Sequence, residues 1–514
     1  MNETIKIQIS NDFVVFILAL VIGIIANYGF ISNELLNPDA LWIGEYYLSG
    51  YWEVSLGRWG LPILDILHGG VNSYGIIAII TLSFYCLAGI LLNKIFEIEK
   101  QSILYILFPV LVIISPIVSV TLTYQYCASA YAFSFLLAVL SVYLLKKNRN
   151  YVKSVLCLTV SLSIYQSNIG VAAVLCIWLI ISVIFRRETN WKENKKNIFN
   201  LLLFGIVSVI LYYGILIILQ SAFNIQGASY KGANEIGLKN IIVNIPQTVK
   251  YTFEDFKIYY FDTDIIANSF GIQIINKIGV VLFVLCTLYK ISTLGKKSAI
   301  ALNLSCIVCI PIAANIINIF VPETRIILLT SSGMLVSTLL GVNFIYKVLG
   351  ELAIGVKRIY IHEVFVAFLT FLMIWLNLLS VNADSIIMNI EKRKALFVAE
   401  NIYAKVVDNS VLPDEKILII GNATMLQGEY ESPLKDKTNK YANWGLVWPD
   451  KEASLSCWDS LYKYYFGVDL NFCSFEEYVN ILSTPKYKEM PCYPEKGYTD
   501  IIDGVFVVKL ADIE

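Results

Sequence analysis

The sequence predicts an α-helical polytopic membrane protein with about eleven transmembrane helices and a small α/β domain at its C-terminal end. Three observations predict this class: 57% of the 514 residues are hydrophobic, only 15% are charged, and the mean hydropathy is +0.66. Soluble domains are about 45–50% apolar and about 25% charged. An apolar excess of this size needs an apolar solvent, which the bilayer provides. The net charge of −1 offers no basic surface for a nucleic acid.

Apolar segments that suit the hydrocarbon core, which takes about 17–25 residues of helix, recur along the first three quarters of the chain. No small-residue cleavage site follows the first segment, so we expect it to remain as an anchor. The predicted spans are Asp12–Phe30, Ser73–Leu92, Ile103–Leu122, Ala128–Leu145, Val155–Tyr165, Ile169–Phe185, Ile198–Ser221, Gly279–Leu294, Ala299–Phe320, Ile327–Tyr346 and Ile359–Val381.

Basic residues between the spans predict the orientation, because cytoplasmic loops carry an excess of Lys and Arg. Lysines and arginines cluster in alternate connections, such as Lys146–Lys153 and Arg186–Lys196. The N-terminus is therefore predicted to be cytoplasmic. Residues 1–381 then form the transmembrane domain, with outer loops 31–72 and 222–271, and residues 382–514 form an extracytoplasmic domain.

The C-terminal segment has the pattern of a small α/β domain. Lys394–Val407 and Phe475–Leu482 are typical of helices, and Lys416–Asn422 and Gly504–Leu510 of buried strands.

The ten cysteines fall into two groups. Seven lie inside apolar runs, where we expect them to pack as small side chains, including the C-x-x-C of Cys306 and Cys309. Two of Cys457, Cys473 and Cys492 could form a disulfide in an extracytoplasmic domain, with the pairing left open.

The stretch Asn37–Gly70 contains most of the side chains that could perform chemistry, and its many Trp and Tyr residues suit the headgroup region. Pro38 predicts a turn into an interfacial helix over Ala40–Leu48, with Asp39 at or near the N-cap. Asp39 is thus either a cap or a general base whose pKa partial burial raises. The two roles are compatible.

Two arginines are candidates for binding a phosphate at the membrane surface. Arg58 lies in the motif SLGRWG, where the alternative is a cation–π contact with Trp59. Arg325 lies in VPETR, where the alternative is an ion pair with Glu323.

Polar residues within the spans favour chemistry at the outer face. Amides cluster toward the outer ends, whereas ion-driven transporters commonly place a charge at the centre of a span, and no span here does. His68 and His362 are the only histidines and are predicted to lie on opposite faces, which argues against a histidine zinc site or a Ser-His-Asp triad. The chemistry would then depend on carboxylates, arginines and a metal held by oxygens, if any. The clustered amides are Gln125, Gln166, Asn168, Asn315 and Asn318.

Four motifs together resemble the bacterial membrane glucosyltransferases of the Gtr type, which modify O-antigen and convert serotype. They are PDALWIGEYY with SGYWEVSLGRWGLPIL after the first span, LSIYQSN at Leu162–Asn168, VPETR before a late span, and the closing stretch Met490–Leu510.

This resemblance implies a GT-C type fold in the bacterial plasma membrane. Such enzymes take a sugar, typically glucose, from a polyprenyl-phosphate carrier and pass it to a cell-surface glycan such as O-antigen or wall polysaccharide. Direct displacement would invert the anomeric carbon. A metal ligand set is not implied, and a divalent cation is compatible with the chemistry.

The resemblance also implies roles for seven residues. Asp39 falls at the acidic position of the first outer loop and would act as the base. Many GT-C enzymes have two adjacent acidic residues there; here the nearest second candidate is Glu45. Arg58 and Arg325 would stabilise the leaving phosphate. The residues expected to contact the sugar or the acceptor are Tyr165, Gln166 and His68.

Three other classes stay open on the sequence: a flippase for lipid-linked sugars, a glycan polymerase and an outer-surface structural protein. A flippase needs a polar path to both faces, and the one-sided placement of the polar residues argues against it. Consumption of a polyprenyl-phosphate monosaccharide would separate a glycosyltransferase from a polymerase.

Overall fold

The computed structural model of the chain describes residues 11–148, 150–185, 191–228, 238–262, 271–294, 297–319, 321, 325–353, 361–409, 414–421, 431–445 and 451–512. Glu323 lies outside these residues, so its predicted ion pair does too. Helices dominate up to residue 408. They are α1 (Asn11–Ala26), α2 (Tyr28–Asn33), α3 (Pro38–Ile43), α4 (Tyr51–Ser55), α5 (Leu61–His68), α6 (Tyr74–Phe96), α7 (Leu104–Ile113), α8 (Pro116–Thr123), α9 (Gln125–Asn148), α10 (Tyr151–Ile164), α11 (Ile169–Phe185), α12 (Trp191–Ala222), α13 (Leu238–Phe261), α14 (Ile272–Thr293), α15 (Lys297–Ala314), α16 (Ser332–Ala353) and α17 (Ile361–Asp408).

The predicted polytopic helical architecture is confirmed. Nine helices in the described part of the chain are long and apolar enough to cross a membrane, or ten if the bent pair of α1 and Tyr28–Ile43 counts as one span. The remaining predicted segment corresponds to α10, which is apolar but has only 14 residues. The predicted bounds of Ile169–Phe185 agree with α11.

A buried asparagine marks the break after the first helix. Asn27 donates from Nδ2 to the Gly23 carbonyl (3.0 Å), and its Oδ1 accepts a hydrogen bond from the Ser119 hydroxyl (2.8 Å). The chain bends by 52° there. We call the end of the bundle where residues 34–73 emerge the loop face.

The C-terminal domain is a small mixed sheet covered by helices, as predicted. The sheet has the order β1-β3-β2, in which β3 pairs in parallel with β1 and antiparallel with β2. Its elements are β1 (Lys416–Ile420), α18 (Lys451–Leu461) continued by a π-helical turn (Tyr462–Phe466), α19 (Phe475–Ser483), α20 (Pro485–Glu489), β2 (Thr499–Ile502) and β3 (Val505–Lys509). All ten cysteines are free.

One continuous helix joins the membrane bundle to this domain. α17 has 48 residues and is about 72 Å long, far more than the roughly 30 Å of hydrocarbon. Its later residues Val398, Ala399 and Ile402 are buried in the core of the C-terminal domain. The helix predicted at Lys394–Val407 is therefore the end of the last membrane helix, and the boundary placed at residue 382 falls inside it.

A buried carboxyl group fastens this helix to the C-terminal domain, just beyond the apolar stretch that ends at Val381. Asp384 is fully buried and accepts hydrogen bonds from the backbone N–H (2.7 Å) and the side-chain amide (2.6 Å) of Asn439. Burial raises the pKa of Asp384 to about 7, although the Asn439 and Tyr441 side chains lower it in part.

The raised pKa of Asp384 predicts a pH-dependent stability. In the unfolded chain this carboxyl has a pKa of about 3.9. Between that value and about 7 the folded state holds the extra proton, so stability falls as pH rises, by about 1.4 kcal/mol for each pH unit. We expect the melting temperature of the detergent-solubilised protein to be higher near about pH 5 than near about pH 8.

The Asp384→Asn variant should show a smaller difference in melting temperature between these conditions. Asp408→Asn is the matched control, because Asp408 lies on the same helix with its side chain 68% exposed. An equal pH dependence in wild type and Asp384→Asn would contradict the assignment.

Candidate active site

The candidate base Asp39 lies in the first turn of α3, at the loop face. It is near the helix cap, as predicted, but the cap itself is Asn37, whose Oδ1 accepts the backbone N–H three residues on (2.8 Å). The helix covers Pro38–Ile43 rather than the predicted Ala40–Leu48. The Asp39 side chain is half-buried, and another residue performs the capping.

Asp39 and Arg58 both face the first turn of α9. The Asp39 carboxylate acts electrostatically on the Tyr126 hydroxyl and the Cys127 thiol, and so does the Arg58 guanidinium. Asp39 also acts on Cys457 of α18. A candidate base and a candidate phosphate-binding group are therefore brought together around one turn of helix.

The C-terminal domain holds α3 in place. The Cys457 thiol contacts the Pro38 carbonyl oxygen (3.5 Å), and the Ser460 hydroxyl donates to the Trp42 carbonyl oxygen (2.9 Å). Leu41 is fully buried in the core that α3 shares with this domain. The position of Asp39 thus depends on residues more than 400 positions away.

A short antiparallel pairing fixes the backbone after α3. The Tyr47 N–H donates to the Gly70 carbonyl (2.8 Å), and the Asn72 N–H donates to the Glu45 carbonyl (2.9 Å). The Glu45 side chain is exposed and acts electrostatically on Tyr464 of the C-terminal domain. The second acidic candidate therefore lies at the rim of the site.

The buried carboxylate of Glu53 stabilises the loop between α3 and α4 through hydrogen bonds. Glu53 is buried and accepts hydrogen bonds from the Tyr47 hydroxyl and from the Gly50 N–H (2.8 Å). Burial, with the Glu53 carboxylate beside it, raises the pKa of Tyr47. The Glu53 carbonyl also accepts the Arg58 N–H (2.7 Å), so Glu53 also sets the backbone of the arginine.

Asp65 is a second buried carboxylate that stabilises the loop, and it contacts the predicted site residue His68. It accepts hydrogen bonds from the Ser49 N–H (2.8 Å) and hydroxyl, and its Oδ1 lies 3.1 Å from Nε2 of His68. His68 is therefore tied to Asp65 on one side of its ring, while Nδ1 has no partner among the described residues. No role was predicted for either Glu53 or Asp65.

Arg58 lies beside two stacked aromatic rings and lacks a counter-charge in the described part of the chain. Its Nη1 donates to the Tyr131 hydroxyl (3.0 Å), and its guanidinium lies 6.0 Å and 5.7 Å from the ring centroids of Tyr131 and Tyr165. Its Nε is buried without a hydrogen-bond partner. No described carboxylate lies within ion-pair distance of it. A cation–π contact was predicted with Trp59; in the structure the rings beside the Arg58 guanidinium are those of Tyr131 on α9 and Tyr165 just after α10.

The two other predicted sugar contacts, Tyr165 and Gln166, support the Arg58 loop. Tyr165 stacks on Tyr131 with the ring centroids 4.1 Å apart. The Gln166 amide donates to the Leu56 carbonyl (2.8 Å) and to the Tyr212 hydroxyl (3.0 Å). In this structure both residues position Arg58, and a contact with the sugar stays a prediction.

A glycine lets this loop approach the helices closely. Gly57 has a φ of +83°, and a Cβ there would lie 2.3 Å from the Tyr212 hydroxyl and 2.9 Å from the Gln166 amide nitrogen. We expect Gly57→Ala to displace the loop and Arg58 with it, and to lower the turnover rate at least about tenfold, since small misplacements of reactive groups are costly. Turnover by purified protein in detergent measures this.

Gly69→Ala is the matched control for Gly57→Ala. Gly69 also has a positive φ (70°), but a Cβ there would meet nothing within 4 Å. In this variant only the strain of the positive φ should lower the stability of the protein, by about 1 kcal/mol. Equal activity of the two variants would show that the close approach at Gly57 is unimportant.

Arg325 has a different environment from Arg58. Its Nη2 lies 3.0 Å from Oδ1 of the fully buried Asp255 and 3.4 Å from Glu254, both on α13. Asp255 also accepts a hydrogen bond from the Asn318 amide (2.9 Å). Burial raises the pKa of Asp255, and the Asn318 and Arg325 side chains lower it in part. Arg325 is thus already neutralised, and it shares none of the contacts of Arg58 described above.

Comparison with known proteins identifies the family. A family model described as Glucosyl transferase GtrII matches residues 28–346, more than half of the chain. The chain belongs to the glucosyl transferase GtrII family. No curated protein and no solved structure matches it. Membership in the GtrII family confirms the resemblance to Gtr-type glucosyltransferases, and it supports glucosyl transfer over flipping, polymerisation or a purely structural role.

The GtrII match covers every site residue predicted from the sequence and leaves out the C-terminal domain. It begins at α2 and ends within α16. In the described part of the chain, no three His, Cys, Asp or Glu side chains form a group that could hold a metal. The covered site residues are Asp39, Glu45, Arg58, His68, Tyr165, Gln166 and Arg325.

Proposed function

We propose that this GtrII protein transfers glucose from a polyprenyl-phosphate carrier to a cell-surface glycan, such as O-antigen or wall polysaccharide, at the loop face. The observation that carries the donor assignment is Arg58, a cation with a buried, unsatisfied Nε and no counter-charge among the described residues. An unpaired charge in such a place is costly unless a ligand neutralises it. A guanidinium suits a phosphate because its N–H groups form a planar fork.

The reaction is a single displacement at the anomeric carbon of the donor. The acceptor hydroxyl gives its proton to the Asp39 carboxylate and its oxygen bonds to the anomeric carbon of glucose. The bond from this carbon to the phosphate oxygen breaks, and its electron pair leaves with the polyprenyl phosphate. Arg58 stabilises the charge that grows on that phosphate. Attack from the opposite side inverts the anomeric configuration.

The placement of charge supports a GT-C type arrangement with an extracytoplasmic loop face. Lys94 and Lys146, at the ends of α6 and α9 remote from this face, pair with Asp12 (2.7 Å) and Glu97 (2.9 Å). Basic residues at that end favour a cytoplasmic location for it. The protein would then lie in the bacterial plasma membrane with its C-terminal domain outside.

Transfer from defined donors tests the proposed function. Membranes containing the wild-type protein would receive radiolabelled glucose either as synthetic polyprenyl-phosphate glucose or as a sugar nucleotide, with native glycan as acceptor. Label should enter the glycan only from the polyprenyl-phosphate donor. Transfer from the sugar nucleotide in membranes free of polyprenyl-phosphate glucose would overturn the donor assignment.

A further inference from the structure

The C-terminal domain presents an aromatic cluster beside the loop that carries Asp39. The π-helical turn Tyr462–Phe466 directly continues α18, the helix that packs on α3. From this turn, Tyr464 interacts electrostatically with Glu34 and Glu45. Tyr465 packs edge-on against Trp444 with the ring centroids 5.8 Å apart. π-helical turns occur frequently at functional sites.

Three buried polar atoms in this cluster have no hydrogen-bond partner among the described residues. They are the hydroxyl groups of Tyr74 and Tyr465 and the indole N–H of Trp444, which is 1% exposed. Tyr74 and Tyr465 pack against the same hydrophobic core, which contains Trp444, and Trp444 contacts Tyr465 directly. Tyr74 also interacts electrostatically with Tyr464, Tyr465 and Glu34. Buried polar groups almost always have a partner, and a group of exceptions needs an explanation.

The backbone around Glu34 lies beside this cluster. Glu34 ends α2 with φ 49° in the left-handed region, where helices commonly end, as Glu97 does at the end of α6. Lys392 donates to the carbonyl of the preceding residue, Asn33 (2.7 Å), and lies 4.6 Å above the Tyr465 ring. Glu34 is therefore next to the aromatic side chains of the cluster.

The chemistry of this cluster matches a neutral sugar. Aromatic faces pack against the C–H surfaces of a pyranose ring, and sugar hydroxyl groups can both donate to carboxylates and satisfy orphaned tyrosine hydroxyl groups. Glu34 and Glu45 make the surroundings negative. Lys392 lies above the Tyr465 ring (4.6 Å) and already donates to the Asn33 carbonyl (2.7 Å), and Lys463, next to Tyr464 in the chain, is paired with Asp459 and Asp469. An anionic glycan would therefore be disfavoured.

We propose that Tyr464, Tyr465, Tyr74 and Glu34, with the buried Trp444 packed behind Tyr465, form the acceptor subsite, which binds a neutral hexose unit of the glycan. This inference rests on the proposed function. Cys457 contacts α3 and interacts electrostatically with Asp39. It precedes Tyr464 by seven residues, which is about 10 Å of helix. A glycan held here would extend its next sugar toward Asp39.

The test is binding of simple glycosides, which does not require transfer. The probes are methyl glycosides of glucose, galactose, mannose and rhamnose, with methyl glucuronide as the anionic comparison. Binding to the full detergent-solubilised chain is measured by saturation-transfer NMR. We expect at least one neutral glycoside to bind in the millimolar range and the glucuronide to bind about tenfold more weakly or not at all.

Removal of single hydroxyl groups tests the residues. Tyr74→Phe and Tyr465→Phe should each weaken binding of the neutral glycoside about five- to tenfold, the effect of one lost hydrogen bond. Their melting temperatures should be unchanged or higher, because an unpartnered hydroxyl is removed. Tyr498→Phe is the matched control, since this tyrosine belongs to the same core but packs against Tyr493.

The outcomes separate this inference from the proposed function. If no neutral glycoside binds the wild-type chain, or if both phenylalanine variants bind as well as Tyr498→Phe does, the acceptor subsite is wrong. If binding follows the prediction but no glucose is transferred from polyprenyl-phosphate glucose, the sugar site stands and the donor assignment fails.

Discussion

Replacing Arg58 with glutamine should lower transfer from polyprenyl-phosphate glucose by about 10²–10³-fold, the usual cost of losing one group that stabilises transition-state charge. The protein should fold at least as stably as wild type, because the variant removes a partly buried charge, with a buried and unsatisfied Nε, that has no counter-charge among the described residues. Arg58→Lys keeps the charge but loses the planar fork, so we expect only partial recovery. Initial rates over a range of donor concentrations, with melting temperatures, give the measurement.

Arg325→Gln is the comparison variant, since the two arginines have different environments. Loss of Arg325 leaves the buried Asp255 carboxylate without its ion pair and should cost about 1–3 kcal/mol, less than for a fully buried pair because Arg325 is about half-exposed. Its activity at a temperature where it stays folded should be within about tenfold of wild type. A collapse of transfer in Arg325→Gln but not in Arg58→Gln would move the phosphate site to Arg325.

The elements that could be predicted from the sequence depend on local properties. Hydropathy summed over about twenty residues predicts membrane spans because each residue contributes its own free energy of transfer into the bilayer. The strands at Lys416–Ile420 and Val505–Lys509 were likewise evident from short apolar runs. Two structural details could have been placed more closely from local signals. Pro38 at the first helical position indicates a cap one residue earlier, at Asn37. No glycine or proline interrupts Ile361–Asp408, which favours a single helix.

The site itself depends on contacts between distant parts of the chain. Arg325 and its partner Asp255 are 70 residues apart, and nothing near either residue in sequence indicates the pair. The contact of α18 with α3 joins residues separated by more than 400 positions. Tertiary packing therefore decides whether an arginine is neutralised by a carboxylate or remains available to a ligand. From the sequence, Arg58 and Arg325 were equal candidates for binding the phosphate.

Replacing Asp39 with asparagine should reduce the transfer rate by about 10²–10⁴-fold, because the amide has the shape of the carboxylate but cannot accept the acceptor's proton. Folding should be retained, since Asn37 caps α3 and Asp39 contributes at most about 1 kcal/mol as an acidic residue in the first helical turn. Donor affinity should change little, because the proposed phosphate-binding group is Arg58 and not Asp39. Single-turnover rates with saturating donor isolate the chemical step.

Two further variants distinguish a base from a structural residue at this position. Asn37→Ala removes the cap and should lower the stability of the protein by about 1 kcal/mol, with a modest effect on rate. Glu45→Gln should retain nearly full activity, because the Glu45 side chain is exposed at the rim of the site. If Asp39→Asn transfers glucose as fast as wild type while Glu45→Gln does not, the base is Glu45, and the Glu45 side chain must turn inward from its exposed position when the acceptor binds.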